Sequence, residues 1–245
     1  MSREYQTGLY VRHAKLRDKV SRQQKAAKIG QVLLRHAPFP LSSAICLDVG
    51  CSSGLVTTGL APLFGRTVGL DYDECGLQAV EPDAHDTAEF IRGDAIHLPF
   101  LDGSVDVVVC AQVYEHVPDA DRMVEEMHRV LVAGGLVFFS GPNWLFPIEP
   151  HYGLPFLHWL PRLLADRFLR ILGRGDHYYE KSLTVWRLQR MLRRFAIHDV
   201  TAEVLHTLWP GSLMSRVARA VPQWTWKLLL PILPNFNWIL RKPGE

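Results

Sequence analysis

The run Ile45-Cys46-Leu47-Asp48-Val49 passes directly into Gly50-Cys51-Ser52-Ser53-Gly54, and this junction constrains the fold more than any other stretch of the chain. A short apolar run without alternation reads as a strand buried on both faces, as in parallel sheets. Gly50 lets the chain turn at once, and Gly54 lets backbone approach a ligand or a neighbouring strand closely. A buried strand that turns sharply into a helix opens a βαβ unit. The dinucleotide fingerprint G-x-G-x-x-G is not met, because Ser52 stands where its middle glycine would be. Asp48 would repel a diphosphate at this place and suits a ligand that carries an amino group or positive charge.

The rest of the chain continues the alternation. Residues 11–36 predict a helix with a broken apolar stripe under lysines and arginines, ended by Pro38 and Pro40. Strands are expected at Ala44–Val49, Thr67–Leu70, Glu89–Arg92, Val105–Cys110 and Leu136–Ser140. Helices are expected at Leu55–Leu63, at 74–81 before Pro82, and at Asp119–Leu131, with Asp119 as N-cap and Gly134-Gly135 as the stop. Such alternation implies a parallel sheet with right-handed crossovers. Further helices are expected near 160–172 and at Thr184–Phe195, and strands at Ala196–Leu205 and Asn237–Leu240. Cys46, Cys51, Cys75 and Cys110 form no C-x-x-C pair, and we read them as reduced, without a disulfide framework.

Three acids fall where ligands bind in open α/β sheets, at the carboxyl ends of strands. Asp48 ends the first strand, and Asp71 follows twenty-three residues later, placed to accept hydrogen bonds from ribose hydroxyls. Tyr72 can cover one face of an adenine. Asp94, in Gly93-Asp94-Ala95-Ile96-His97-Leu98-Pro99-Phe100, can accept an exocyclic amine while the Ala95 N–H bonds a ring nitrogen. Asp106 opens its strand and so belongs at the opposite edge of the sheet. His116 is read as a local structural histidine.

Four segments together resemble the class I S-adenosylmethionine-dependent methyltransferases, of the type 11 domain. They are Asp48–Gly54, Gly93–Val108, Glu115-His116-Val117-Pro118-Asp119 and Arg129–Leu136, in the family's order over about residues 44–141. The resemblance implies a seven-stranded Rossmann-like sheet, mostly parallel with an antiparallel last strand and helices on both faces. It implies S-adenosyl-L-methionine as cofactor. Asp48, Gly50, Ser52 and Gly54 would wrap its methionine part, Asp71 and Tyr72 its ribose and adenine, and Asp94 and Ala95 the adenine edge. Gln112 would sit near the sulfonium. The chain is thus expected to be one methyltransferase domain with a helical cap at 1–40, the cofactor core at 44–141, an acceptor-side insertion at 142–182 and an apolar insertion at 206–234.

Methyl transfer from a sulfonium is a direct displacement that needs alignment and often removal of a proton. It requires no metal, and no metal-ligand spacing stands in the sequence. The expected acceptor side is Gly141–Pro155, where Glu149, His151 and Tyr152 offer an acid, a base and a hydroxyl. His151 is the expected general base with Glu149 orienting it; a proline-fixed lid braced by the same residues is the alternative. The residues His177, Tyr178 and Tyr179 form a second polar-aromatic cluster, read as surface or lid. The Glu-Pro-His-Tyr stretch resembles that of methyltransferases of glycolipid, polysaccharide or other lipid pathways, so a small-molecule or lipid-linked acceptor methylated at oxygen is expected. A cofactor-binding membrane module without catalysis and a nucleotide-dependent oxidoreductase are the alternatives.

Charge is unevenly distributed. Residues 1–36 carry net +7, residues 37–159 net −13 and residues 160–195 net +6. The 206–234 segment is rich in Trp and Leu, with Arg216, Arg219 and Lys227 as its charges. These basic and apolar parts are expected to touch anionic lipid, with a folded flap or a dimer contact as alternatives for the insertion. Nucleic acid is not the expected partner, since the acceptor-side segments are apolar and proline-rich rather than basic. The polar start and the absence of a run of ~18 apolar residues predict a cytoplasmic protein, peripheral at most on a membrane.

Overall fold

The computed structural model describes residues 8–12, 16–208 and 232–244. Its centre is a seven-stranded sheet built from β1 (Ile45–Val49), β2 (Arg66–Asp71), β3 (Glu89–Arg92), β4 (Val105–Ala111), β5 (Leu131–Pro142), β8 (Ala196–Asp199) and β9 (Asn235–Arg241). The order is β3-β2-β1-β4-β5-β9-β8. All neighbours pair parallel except β9, which runs antiparallel to both β5 and β8. The strand order reverses between β1 and β4, so a crevice opens beyond their carboxyl ends.

Helices cover both faces. On one lie α5 (Ala120–Val130) and α7 (Val185–Met191), packed on Leu47, Val49, Val108 and Trp238 through Met123, Met127 and Leu188. On the other lie α2 (Lys19–His36), α3 (Leu55–Leu60) and α8 (Thr201–Leu208), whose Ile29, Leu33, Leu60 and Val204 meet Cys46, Val107, Val109 and Phe138. Successive residues of β4 therefore enter different cores, which is why that strand is apolar without alternation. The short helix α1 (Leu9–Arg12) packs on α4 (Glu74–Leu77), which lies beside β2 and β3, while α6 (Arg162–Ile171) belongs to the segment after β5.

Three sequence expectations are corrected. The 11–36 helix starts only at Lys19, because the Asp18 carboxylate accepts the Ser21 N–H and caps it there. Gly134-Gly135 does not separate helix from strand: α5 ends at Val130, and β5 begins at Leu131 and carries the glycines in a bulge between its pairings with Val105 and Val107. Ala196–Leu205 is not one strand. The strand stops at Asp199, whose Oδ1 accepts the Thr201 N–H and starts α8. The β-branched pair Val200-Thr201 had masked that turn. Most of the 206–234 insertion lies outside the described residues.

As expected, Asp119 caps α5 through the Arg122 N–H, and Asp106 sits at the amino-terminal edge, where it accepts the Ile45 N–H. Gly54 stands at φ +73 at the start of α3, and a Cβ there would lie 2.5 Å from the Phe90 ring. Gly54→Ala is expected to cost about 1–2 kcal/mol from the left-handed backbone alone and to lower Tm by roughly 5 °C. Thermal unfolding of the variant measures it.

Candidate functional site

A cavity of about 340 Å³ fills the crevice beyond β1 and β4. Its floor is the β1 turn. Gly50 and Cys51 N–H groups both bond the Leu70 carbonyl, tying the turn to β2. Gly50 is at φ +76, and a Cβ there would come within 2.6 Å of the Val113 side chain. Ser52 is also left-handed, at φ +51, and its N–H donates to Asp71 Oδ2 at 2.7 Å. The other Asp71 oxygen accepts the Asp73 N–H at 2.8 Å. One carboxylate thus fixes both loops. Burial pushes the Asp71 pKa up, against the pull of these backbone donors.

Of the expected cofactor residues, Asp48, Gly50, Ser52 and Asp71 line the cavity, as do Tyr72, Ala95 and Gln112. Gly54 and Asp94 stand behind its wall. The Asp94 Oδ1 accepts the Ile96 N–H of its own turn, which puts Gly93 and Ala95 rather than the carboxylate on the surface of the cavity. Gln112, at φ +67, has its amide against Asn235 Oδ1 at 3.3 Å.

Asp48 is buried and takes the Thr57 hydroxyl at 2.6 Å. Burial raises its pKa from 3.8 to about 6, although Thr57 and Lys25 favour the charged form. A carboxyl whose folded pKa is raised adds stability below its unfolded pKa and loses it as pH climbs through the folded one. Above pH 6 the ionised Asp48 therefore costs the empty protein, by about 3 kcal/mol at one pKa unit per 1.36 kcal/mol. Asp48→Asn is expected to stabilise the cofactor-free protein at pH 7.5 by about 1–3 kcal/mol, a gain that vanishes near pH 4. Urea unfolding at the two pH values checks it; equal gains at both would refute the assignment.

Two cationic residues of the cavity escaped the sequence reading. Arg22 and Lys25, on the α2 face turned toward the sheet, line it beside Asp48. The Lys25 Nζ donates to the Ala111 carbonyl at 3.2 Å, and burial, aided by Arg22, brings its pKa down to about 8. Their i, i+3 spacing marks a shared helix face, but nothing in the sequence ties that face to the end of β4.

The far end of the cavity belongs to the segment after β5. There β6 (Ile148–Glu149) and β7 (Leu154–Pro155) form a small hairpin, and its turn presents His151 to the cavity. Glu149 is fully buried. Its Oε1 lies 2.7 Å from His151 Nδ1 and its Oε2 accepts the Tyr152 N–H, so one carboxylate ties down both residues of the turn. Tyr152 does not reach the cofactor cavity; it lines a second, open cleft with Arg174, His177 and Tyr179, and His151 borders both.

Glu115 and His116 complete this end. His116, expected to be only structural, lines the cavity and packs edge-on against His151 at 4.9 Å between ring centroids. Glu115 is buried, with Oε1 3.8 Å from Nε2 of both histidines. Burial lifts its pKa to about 7 against the pull of His151. Burial opposes charge on His151, but the Glu149 hydrogen bond and the Glu115 charge outweigh it and raise that pKa to about 9. A ring so held binds a proton more tightly than a free imidazole.

Residues 47–139 match the methyltransferase domain family. An uncharacterized methyltransferase of Mycobacterium leprae (strain Br4923) is 32% identical over 217 residues, covering 86% of this chain and 75% of its own length. Another, from Mycobacterium sp. (strain JLS), is 34% identical over 184 residues, 74% of this chain and 67% of its own. Among solved structures, the YcgJ protein of Bacillus subtilis superposes with TM-score 0.54 at 17% identity, over 88% of this chain and 98% of its own. The geranyl diphosphate C-methyltransferase of Streptomyces coelicolor A3(2), solved with Mg2+, geranyl-S-thiolodiphosphate and S-adenosyl-L-homocysteine, gives 0.54 at 16%, over 88% and 76%. At these identities the two structures speak for the fold.

Proposed function

The chain belongs to the class I S-adenosylmethionine-dependent methyltransferases, and we propose that it methylates an oxygen of a small-molecule or lipid-linked acceptor. The observation that carries this reading is His151, which borders both the cofactor cavity and the cleft of Tyr152, Arg174 and His177. A methyl group in the first and an acceptor in the second would meet at that imidazole.

In this reading the cofactor's amino-acid end is a zwitterion and meets both signs. Asp48 takes the ammonium side through the β1 turn, and Arg22 and Lys25 face the carboxylate. Asp71 holds the ribose, Tyr72 and Ala95 flank the adenine, and Asp94 shapes the turn that carries Ala95. Gln112 lies beside the sulfonium. Bound there, the cofactor would supply its methyl carbon to the acceptor oxygen, the carbon–sulfur electron pair would stay on sulfur, and the hydroxyl proton would pass to solvent through the open cleft. His116 and His151, with Glu115 and Glu149 behind them, face that oxygen.

The lipid-linked form of the acceptor is supported by an apolar row on and before α6. Phe156 is 51% exposed, Leu163 83% and Ile171 71%, among Arg162, Arg167 and Arg170. Apolar and basic side chains so mixed suit a membrane surface, and no helix among the described residues is long and apolar enough to cross one.

The test is incubation of the protein with methyl-labelled cofactor and fractionated cell extract. Label is expected in the lipid or small-molecule fraction as an alkali-stable methyl ether or an ester. Label confined to nucleic acid or protein would overturn the acceptor class, and cofactor binding without any transfer would favour a binding module. Retention on anionic vesicles, reduced by Leu163→Asp, separates a membrane-borne acceptor from a soluble one.

A further inference from the structure

We propose that Glu115, His116 and His151 bind a divalent transition-metal ion at the acceptor end of the cofactor cavity. The use of that ion rests on the methyl-transfer reading above; its binding does not.

Geometry carries the inference. One ligand atom from each of the three residues lies within 4.8 Å of the others. Glu115 Oε1 is 3.8 Å from each imidazole Nε2. Ligands about 2.1 Å from one ion at tetrahedral or octahedral angles stand about 3.0–3.5 Å apart, so the two carboxylate–imidazole distances must close by about 0.3–0.8 Å and the imidazole–imidazole distance by at most about 1.8 Å to complete the site. A carboxylate with two imidazoles favours a first-row ion such as Zn2+ or Mn2+ over Ca2+, whose ligands are oxygens.

Two independent observations point to a cation there. Glu115 is 1% exposed, and among the described residues neither of its oxygens accepts a hydrogen bond from another residue. A buried carboxylate that no neighbouring residue donates to is an expensive arrangement that a metal ion relieves. The second is Glu149. Its contact with His151 Nδ1, at 2.7 Å, fixes the ring and turns Nε2 toward Glu115. A carboxylate behind a histidine is the usual support of a metal-ligating imidazole.

The placement also fits a use. Both imidazoles line the cavity, so the positions left open on an ion would face the space where cofactor and acceptor meet. A divalent ion lowers the pKa of a hydroxyl bound to it and carries the negative charge that develops on oxygen. His151 is then a ligand rather than a general base, and Glu149 is a positioning residue. The sequence hid the site because Glu115 and His151 are 36 residues apart, and only the hairpin after β5 joins them.

The experiment is calorimetric titration of chelator-treated full-length protein with Zn2+ and with Mn2+, and the visible spectrum of the Co2+ form. Wild type is expected to bind about one ion per chain. Glu115→Gln and His116→Ala should each weaken binding at least tenfold, and Glu149→Gln roughly 10–100-fold. A far-ultraviolet circular dichroism spectrum like that of wild type and a cooperative thermal transition show that the variants are folded. Absence of binding, or binding and Co2+ spectra untouched by Glu115→Gln and His116→Ala, would overturn the site. Ion binding without methyl transfer would uphold the site and sink the proposed function; methyl transfer undiminished by chelation, with no ion bound, would do the reverse.

Discussion

Asp71→Ala should weaken S-adenosylhomocysteine binding about 100-fold, on the order of 3 kcal/mol. The carboxylate holds two loops at once, through Ser52 N–H at 2.7 Å and Asp73 N–H at 2.8 Å. A hydrogen bond to a charged group contributes about 1.5–3 kcal/mol, so losing the pair exceeds any single cofactor contact. Ser52 makes the loss sharper. It occupies φ +51, where an L residue is strained by about 1–2 kcal/mol, and its bond to Asp71 is what holds it there. Without Asp71 the Gly50–Gly54 turn relaxes and the cavity floor is no longer preformed. Asp71→Asn should recover only part of the affinity, because its amide nitrogen cannot accept one of the two N–H groups. Titration calorimetry decides; a change below threefold for Asp71→Ala would show that the loops hold without the carboxylate.

The Asp71 case shows what kind of information the sequence carried. The core was legible because each piece is local. An apolar run, a glycine turn and an acid at a strand end all lie within ten residues, and β1, β2 and the α5 cap appear where that pattern puts them. Boundaries failed where one side chain decides the local geometry. Asp18 starts α2 and Asp199 starts α8, and neither stands out against its neighbours. The site was half legible for the same reason. Asp48, Asp71 and Ala95 sit at strand ends, which topology brings together. Lys25 reaches the cavity from a helix before the sheet, and Glu115 meets His151 through a hairpin whose pairing is only two residues long. Those contacts depend on packing between distant segments, which no spacing in the chain encodes.

His151→Ala should lower turnover about 100–1,000-fold while leaving S-adenosylhomocysteine affinity within threefold, the range expected when a positioned proton-transfer or charge-stabilising group is removed. The asymmetry follows from its position. The ring stands at the border with the acceptor cleft, whereas the turn and loops that hold the cofactor are fixed by Leu70 and Asp71. A loss confined to acceptor KM would make His151 a binding contact only; a loss in both affinities would make it a brace of the hairpin. His151→Asn separates chemistry from bracing, because its amide can still reach toward Glu149, whose other oxygen keeps the Tyr152 N–H. If the asparagine variant is folded and as inactive as the alanine variant, the ring itself acts on the acceptor. If it restores turnover, the polar turn alone suffices and the imidazole has no chemical part. Single-turnover rates with the labelled acceptor fraction, measured beside cofactor affinity for each variant, give the two quantities that this comparison needs.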